Sequence, residues 1–137
     1  MQFRNILFAL VPALAIGCIG GNASAQSQEC DPQVFESKFQ ELGGTLVDVR
    51  TPDEWRSGII PGARLIEHGS KDFATKLAEL DKDAPVFVYC AAGGRSYRTA
   101  KYLTGQGFTQ VYDLVGGIEA WKESGRSVVD PGKASKE

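Results

Sequence analysis

The sequence predicts an α/β fold: a single domain whose central, mostly parallel sheet is flanked by helices on both faces. Three observations predict it. Short apolar and β-branched runs alternate with helix-patterned segments from Asp31 to Gly125. The run "PVFVY" (85–89) is apolar throughout, as a strand covered on both faces requires. Helix-start and helix-stop residues stand at the joints between these segments. A chain of 137 residues, 42% hydrophobic and 23% charged, accommodates one such domain with its own core.

The elements follow in order. Asp31 caps a first helix with Pro32 in its first turn, and Val34, Phe35, Phe39 and Leu42 repeat at helical spacing until Gly43-Gly44 ends it. "TLVDV" (45–49) is a strand. Thr51-Pro-Asp-Glu54 is a capping box that opens a brief helix through Trp55 to about Ser57. The chain turns at Pro61-Gly62 into a short strand over 63–66. Ser70 starts a helix with Phe73, Leu77 and Leu80 on one face. After the 85–89 strand, Ser96 to Gln106 is helical and stops at glycines. "QVYDL" (110–114) is the last strand, and 117–124 the last helix, with Ile118 and Trp121 facing inward. Residues 126–137 read as a polar tail that frays, and 26–30 as a short lead into the domain at 31–125.

The first 25 residues are a separate object. One basic residue (Arg4), an apolar run from Ile6 to Ile19 and a closing Ala23-Ser24-Ala25 give the three-part layout of a secretory signal. The run is short of the ~20 apolar residues that span a bilayer. The expected product is exported, most simply to a periplasm, and begins at Gln26. Leu14-Ala-Ile-Gly-Cys18 also resembles a lipobox, which would leave the protein anchored through a lipidated Cys18. Without that lipid no stable membrane insertion is expected. A net charge of −2 supplies no electrostatic footprint for nucleic acid.

Chemistry concentrates after the 85–89 strand, in "YCAAGGRS" (89–96). Parallel sheets gather their sites at the carboxyl ends of strands, where Cys90 falls. An ordinary cysteine has a pKa of about 8.5, so only a few per cent is thiolate at neutral pH. Successive loop amides, the positive end of the following helix and Arg95 would all favour the anion. Gly93 and Gly94 let the backbone curl, while Ala91 and Ala92 keep the bowl open. The loop reads as a small anion cup, closed by Ser96, with a nucleophilic sulfur at its floor. Cys90 as a plain packing residue would leave the glycines and Arg95 without a reason. The Cys-x4-Arg spacing is one residue shorter than the Cys-x5-Arg cradle of phosphatases of related fold, which suits sulfur better than phosphate.

Three segments together resemble the single-domain rhodaneses, the thiosulfate sulfurtransferases, in an exported bacterial form. They are "LVDVRTPDEWRSGIIPGARLI" (46–66), Cys90-x-x-Gly93-x-Arg95-Ser96, and "GFTQVYDLVGGIEAWKESG" (107–125). The resemblance implies a rhodanese-like domain in which Cys90 takes the outer sulfur of thiosulfate as a persulfide and passes it to cyanide or a thiol. It implies ping-pong kinetics and neither a metal nor an organic cofactor. It also leaves open a non-catalytic or redox-sensing domain that hands sulfur or oxidation equivalents to a protein partner. Where the family's first signature usually reads Gly-His-Ile, this chain has Gly58-Ile59-Ile60.

Other residues take plainer readings. Asp48 and Arg50 form a structural ion pair or cap. Trp55 and Trp121 are core aromatics. Arg98 either thickens the positive field at the pocket mouth or is solvated, and His68, the one histidine, has an ordinary hydrogen-bonding role within reach of the rim. Cys30 and Cys90 are the two cysteines left after cleavage, and Cys90 is expected to stay a free thiol rather than pair with Cys30.

Overall fold

A computed structural model describes residues 25–134. The proposed signal and Cys18 lie outside the described residues, apart from Ala25. The elements are β1 (Gln28–Cys30), α1 (Pro32–Leu42), β2 (Thr45–Asp48), α2 (Pro52–Trp55), β3 (Arg64–Leu65), α3 (Phe73–Ala78), β4 (Val86–Tyr89), α4 (Gly94–Gly105), β5 (Val111–Leu114), α5 (Gly117–Glu123) and α6 (Pro131–Ala134).

The five strands form one sheet in the order β1-β5-β4-β2-β3, and every strand pair is parallel. Strands in the middle of a parallel sheet must be apolar on both sides, because crossover helices cover both faces. β4 and β5 are buried at all four of their positions. Val47, Val86, Val88 and Val111 pack under Leu77 and Leu80, at the end of α3, and under Ala100 and Leu103 of α4. Leu46, Phe87, Tyr89, Tyr112 and Leu114 pack on the other face against Phe35 of α1 and Ile118 and Trp121 of α5. Phe87 anchors that second layer. Tyr112 stacks on it at 4.5 Å, while Phe35 and Phe39 meet it edge-on at 5.3 and 5.2 Å. Such ring pairs contribute about 0.5–1.5 kcal/mol each beyond their buried area.

The ends of the domain differ from the sequence expectation. The lead at 26–30 contains a strand: β1 pairs with β5 in register Gln28↔Tyr112 to Cys30↔Leu114 and forms one edge of the sheet. The stretch after Gly125 is docked. Val129 makes a two-way bridge with Ile59, Trp121 Nε1 donates to the Ser127 carbonyl at 2.9 Å, and Arg126 reaches Glu36 at 2.7 Å. Polar composition suggested fraying, but backbone pairing and one indole hold the segment down. Helix starts also shift: α3 begins at Phe73, not Ser70, and α4 at Gly94, not Ser96.

Candidate active site

β4 ends at Tyr89 and delivers Cys90 to the carboxyl edge of the sheet. The next turn starts α4, with Gly93 as its N-cap at φ 116°, a left-handed value that favours glycine. That curl brings the Gly93 amide 3.1 Å from Cys90 Sγ, where it donates to sulfur. The thiol in turn donates to Ser96 Oγ at 3.5 Å, and the Ser96 hydroxyl to the Gly93 carbonyl at 3.2 Å. Among the described residues, the amides of Ala92, Gly94 and Arg95 bond to no protein group.

The start of α5 dictates which way this loop faces. Ile118 and Glu119 amides donate to the carbonyls of Cys90 and Ala91 at 2.9 and 3.2 Å. First-turn amides have no partner within their own helix, so they are free to do this. The loop carbonyls are thereby tied to α5. Gly117, at φ +61°, makes the approach possible: a Cβ there would sit 2.4 Å from the Ala91 oxygen. These α5 contacts were not apparent from the sequence; their signal was the Gly116-Gly117 pair.

Cys90 is only 1% exposed. The sequence suggested a loop that presents the thiol; the structure puts it at the closed floor, beneath a rim of small residues. Cys30 is buried as well, and both thiols are free. Cys30 pairs with Leu114 on β5, and β5 pairs with β4, so two strand spacings of roughly 4.8 Å separate it from Cys90. A disulfide closes over Cα distances below about 7 Å, so the pair cannot join without moving backbone.

Arg95 is not free-standing. Its two terminal nitrogens grip Glu54 at 2.8 and 2.7 Å, a forked ion pair across 41 residues of sequence. Glu54 was legible only as the cap of α2, and it keeps that role too, accepting from the Thr51 amide at 2.9 Å. The Arg95 hydrogen bonds hold the Glu54 carboxyl down at about 2, with burial opposing and Thr51 assisting. Glu54 raises the Arg95 pKa in return, with burial opposing and the Cys90 sulfur adding a smaller effect. His68 lies on this side as well: burial lowers its pKa first, then the charges of Arg98 and Arg95. Arg98 itself is exposed.

Asp48 and Arg50 serve the scaffold, as expected. Arg50 is 2% exposed; its Nη2 meets Asp48 at 2.6 Å and its remaining donors reach the Glu54 and Gly58 carbonyls. Trp121 is in the core, whereas Trp55 is only half-buried and its buried Nε1 has no partner. One further group escaped the sequence reading. Asp113, on β5, is 2% exposed, and its Oδ1 has no hydrogen-bond partner. Its signal was an acid inside an apolar run.

Comparison with known proteins agrees with this geometry. Residues 31–124 match the family model of the rhodanese-like domain. A protein named sulfurtransferase from Allochromatium vinosum is 40% identical over 100 residues, covering 70% of this chain and 92% of that one. The thiosulfate sulfurtransferase GlpE of Ectopseudomonas mendocina is 43% identical over 94 residues, covering 66% and 84%. Among solved structures, a polysulfide-sulfur transferase homodimer from Wolinella succinogenes has a TM-score of 0.66 at 29% identity, covering 78% of this chain and 81% of that one. With the family model matched along 31–124 and relatives of 40–43% identity named as sulfurtransferases, the chain belongs to the single-domain rhodanese-like proteins.

Proposed function

We infer that the protein is a sulfurtransferase that moves the sulfane sulfur of thiosulfate, or a similar anionic donor, to cyanide or a thiol through a Cys90 persulfide. The observation that carries this reading is the short Gly93 amide contact to Cys90 Sγ at 3.1 Å, within a loop whose neighbouring amides are unpaired. Sulfur at that position has a donor aimed at its negative charge, and a persulfide sulfur would extend toward the remaining amides. The names of the relatives support sulfur transfer as the general chemistry.

In the first half-reaction the Cys90 thiolate attacks the outer sulfur. The sulfur–sulfur bond of thiosulfate breaks, and sulfite leaves with its electron pair. In the second, cyanide or a thiolate attacks the terminal sulfur of the persulfide and Cys90 departs as thiolate. Arg95, fixed by Glu54, supplies positive charge at the rim for the anionic donor. Ala91, Ala92, Gly93, Gly94 and Ser96 shape the cup. We place the protein outside the cytoplasm, with residues 1–25 removed.

Cys90→Ser tests the reading. Thiocyanate formation from thiosulfate and cyanide should disappear, because a hydroxyl is a poor nucleophile here and forms no perthio intermediate. Residual turnover in a folded Cys90→Ser protein would exclude the persulfide route.

A further inference from the structure

Arg95 and Glu54 stand at the rim with their charges already matched. The two terminal nitrogens of Arg95 meet the two carboxylate oxygens of Glu54, at 2.8 Å to Oε2 and 2.7 Å to Oε1. This forked pair is the geometry in which an arginine receives any anion with two oxygens to offer. The edge of Arg95 that suits an oxyanion donor is therefore filled by an acid of the same chain.

The two partners are not held equally. Glu54 belongs to the capping box of α2, where the Thr51 amide and the Thr51 hydroxyl both donate to its Oε2 at 2.9 Å. Its carboxylate has a place of its own with or without Arg95. Arg95 extends on a long stem from the first turn of α4 and makes no other ion pair among the described residues. The side chains of Arg95 and Glu54 are 27% and 32% exposed, so small solutes reach the pair. A solvent-reached ion pair is a modest interaction that another anion can replace. One turn further along α4, Arg98 is exposed and makes no ion pair or side-chain hydrogen bond among the described residues. Arg95 and Arg98 both lower the His68 pKa, after burial, so the two cations act on one side of the mouth. With Glu54 in place, one of those two positive charges is cancelled.

We propose that Glu54 is a specificity-determining residue of the donor site: it competes with the sulfur donor for the forked edge of Arg95 and so holds down the affinity for doubly charged oxyanions such as thiosulfate. Such a donor gains the fork only by drawing Arg95 off Glu54, which stays on its cap. A donor without an oxyanion group, such as an alkyl persulfide, has no use for the fork and loses nothing to Glu54. The chain's own carboxylate thereby narrows the advantage of thiosulfate over uncharged or singly charged sulfur donors. The inference rests on the sulfurtransferase reading for the identity of the donor, and on the ion pair alone for the competition.

The test is calorimetric titration of the full-length protein with two anions. Thiosulfate is titrated into Cys90→Ser, which offers the cup without the reacting sulfur, and sulfate into protein with Cys90 in place. Glu54→Gln is compared with its parent in each case. Glutamine serves a capping box as glutamate does, so α2 keeps its start while the charge is removed. Glu54→Gln should bind both anions about five- to tenfold more tightly, the size expected of a partly exposed forked ion pair. Asp53→Asn is the control: it makes the same change of net charge one residue away, on a carboxylate that pairs with Arg56 in solvent. Its affinities should move by less than about twofold, because an exposed charge is screened. A measurement on wild type needs no variant to fold: the ¹³C signal of the Glu54 carboxyl should shift as sulfate saturates, because its arginine leaves. Unchanged or weaker binding in Glu54→Gln overturns the proposal, as does an equal gain in Asp53→Asn or a Glu54 signal that stays still at saturation. Tighter binding in Glu54→Gln without persulfide formation in wild type would refute the sulfurtransferase reading alone. Persulfide formation without that gain in affinity would refute this one alone.

Discussion

Asp48 and Asp113 are both buried carboxylates near the carboxyl edge of the same sheet, and they lie on either side of β4. Their surroundings differ completely. Asp48 accepts from the Arg50 amide and from two guanidinium nitrogens at 2.6–3.1 Å, so every lone pair that matters is used. Burial pulls the Arg50 pKa down, yet the hydrogen bonds and charge of Asp48 outweigh it and raise it. Among the described residues Asp113 pairs with no cation, and its Oδ1 has no hydrogen-bond partner. A saturated buried charge fixes geometry; an unsaturated one retains the freedom to change its protonation. The first belongs to the scaffold.

The largest effect that would test this contrast lies on the scaffold side. Asp48→Ala should cost about 3–5 kcal/mol of stability, because it strands a buried guanidinium. Denaturant midpoints at constant slope measure it, and a loss below about 1 kcal/mol would mean that Arg50 finds other support.

How much of this contrast could be read from the chain alone? The Asp48–Arg50 pair was legible, because the two residues are local and stand at the end of a strand. The Cys90 loop was legible too, since four small residues after a thiol have little packing use. Glu54 was legible only in part: the capping box is a local pattern, but its grip on Arg95 is made across the fold. β1 escaped because its three residues, "QEC", show almost no apolar pattern and become a strand by pairing with β5. Asp113 escaped for a related reason. Its strand was assigned correctly, but burial by α4 and the absence of a cation are tertiary facts.

A smaller effect concerns Asp113 itself, measured as the stability of wild type against Asp113→Asn across pH. Its folded pKa is raised from 3.8 to about 6, so its contribution to stability is fully present below about pH 4 and is lost as pH rises through about 6. Asp113→Asn removes that loss. The variant should therefore gain on its parent by about 3 kcal/mol between those limits, at 1.36 kcal/mol per unit of pKa. Parallel stability-versus-pH curves would show instead that Asp113 is solvated in the native protein.

The smallest effect is at the rim. Arg95→Ala should lower kcat/KM for thiosulfate by roughly ten- to a hundredfold, the worth of a charge-assisted hydrogen bond of about 1.5–3 kcal/mol. Arg95→Lys should recover part of it, since an ammonium keeps the charge but not the fork that Glu54 holds. Steady-state kinetics on both variants decide this, and unchanged kcat/KM in Arg95→Ala would remove Arg95 from donor recognition.

Beneath all of these lies the claim that Cys90 carries the transferred sulfur. Intact mass spectrometry of the protein, before and after thiosulfate and again after cyanide, tests it most directly. The mass should rise by one sulfur atom, peptide mapping should place that atom on Cys90 and not on Cys30, and cyanide should remove it. A mass that never changes with thiosulfate, or a sulfur found elsewhere in the chain, would contradict it.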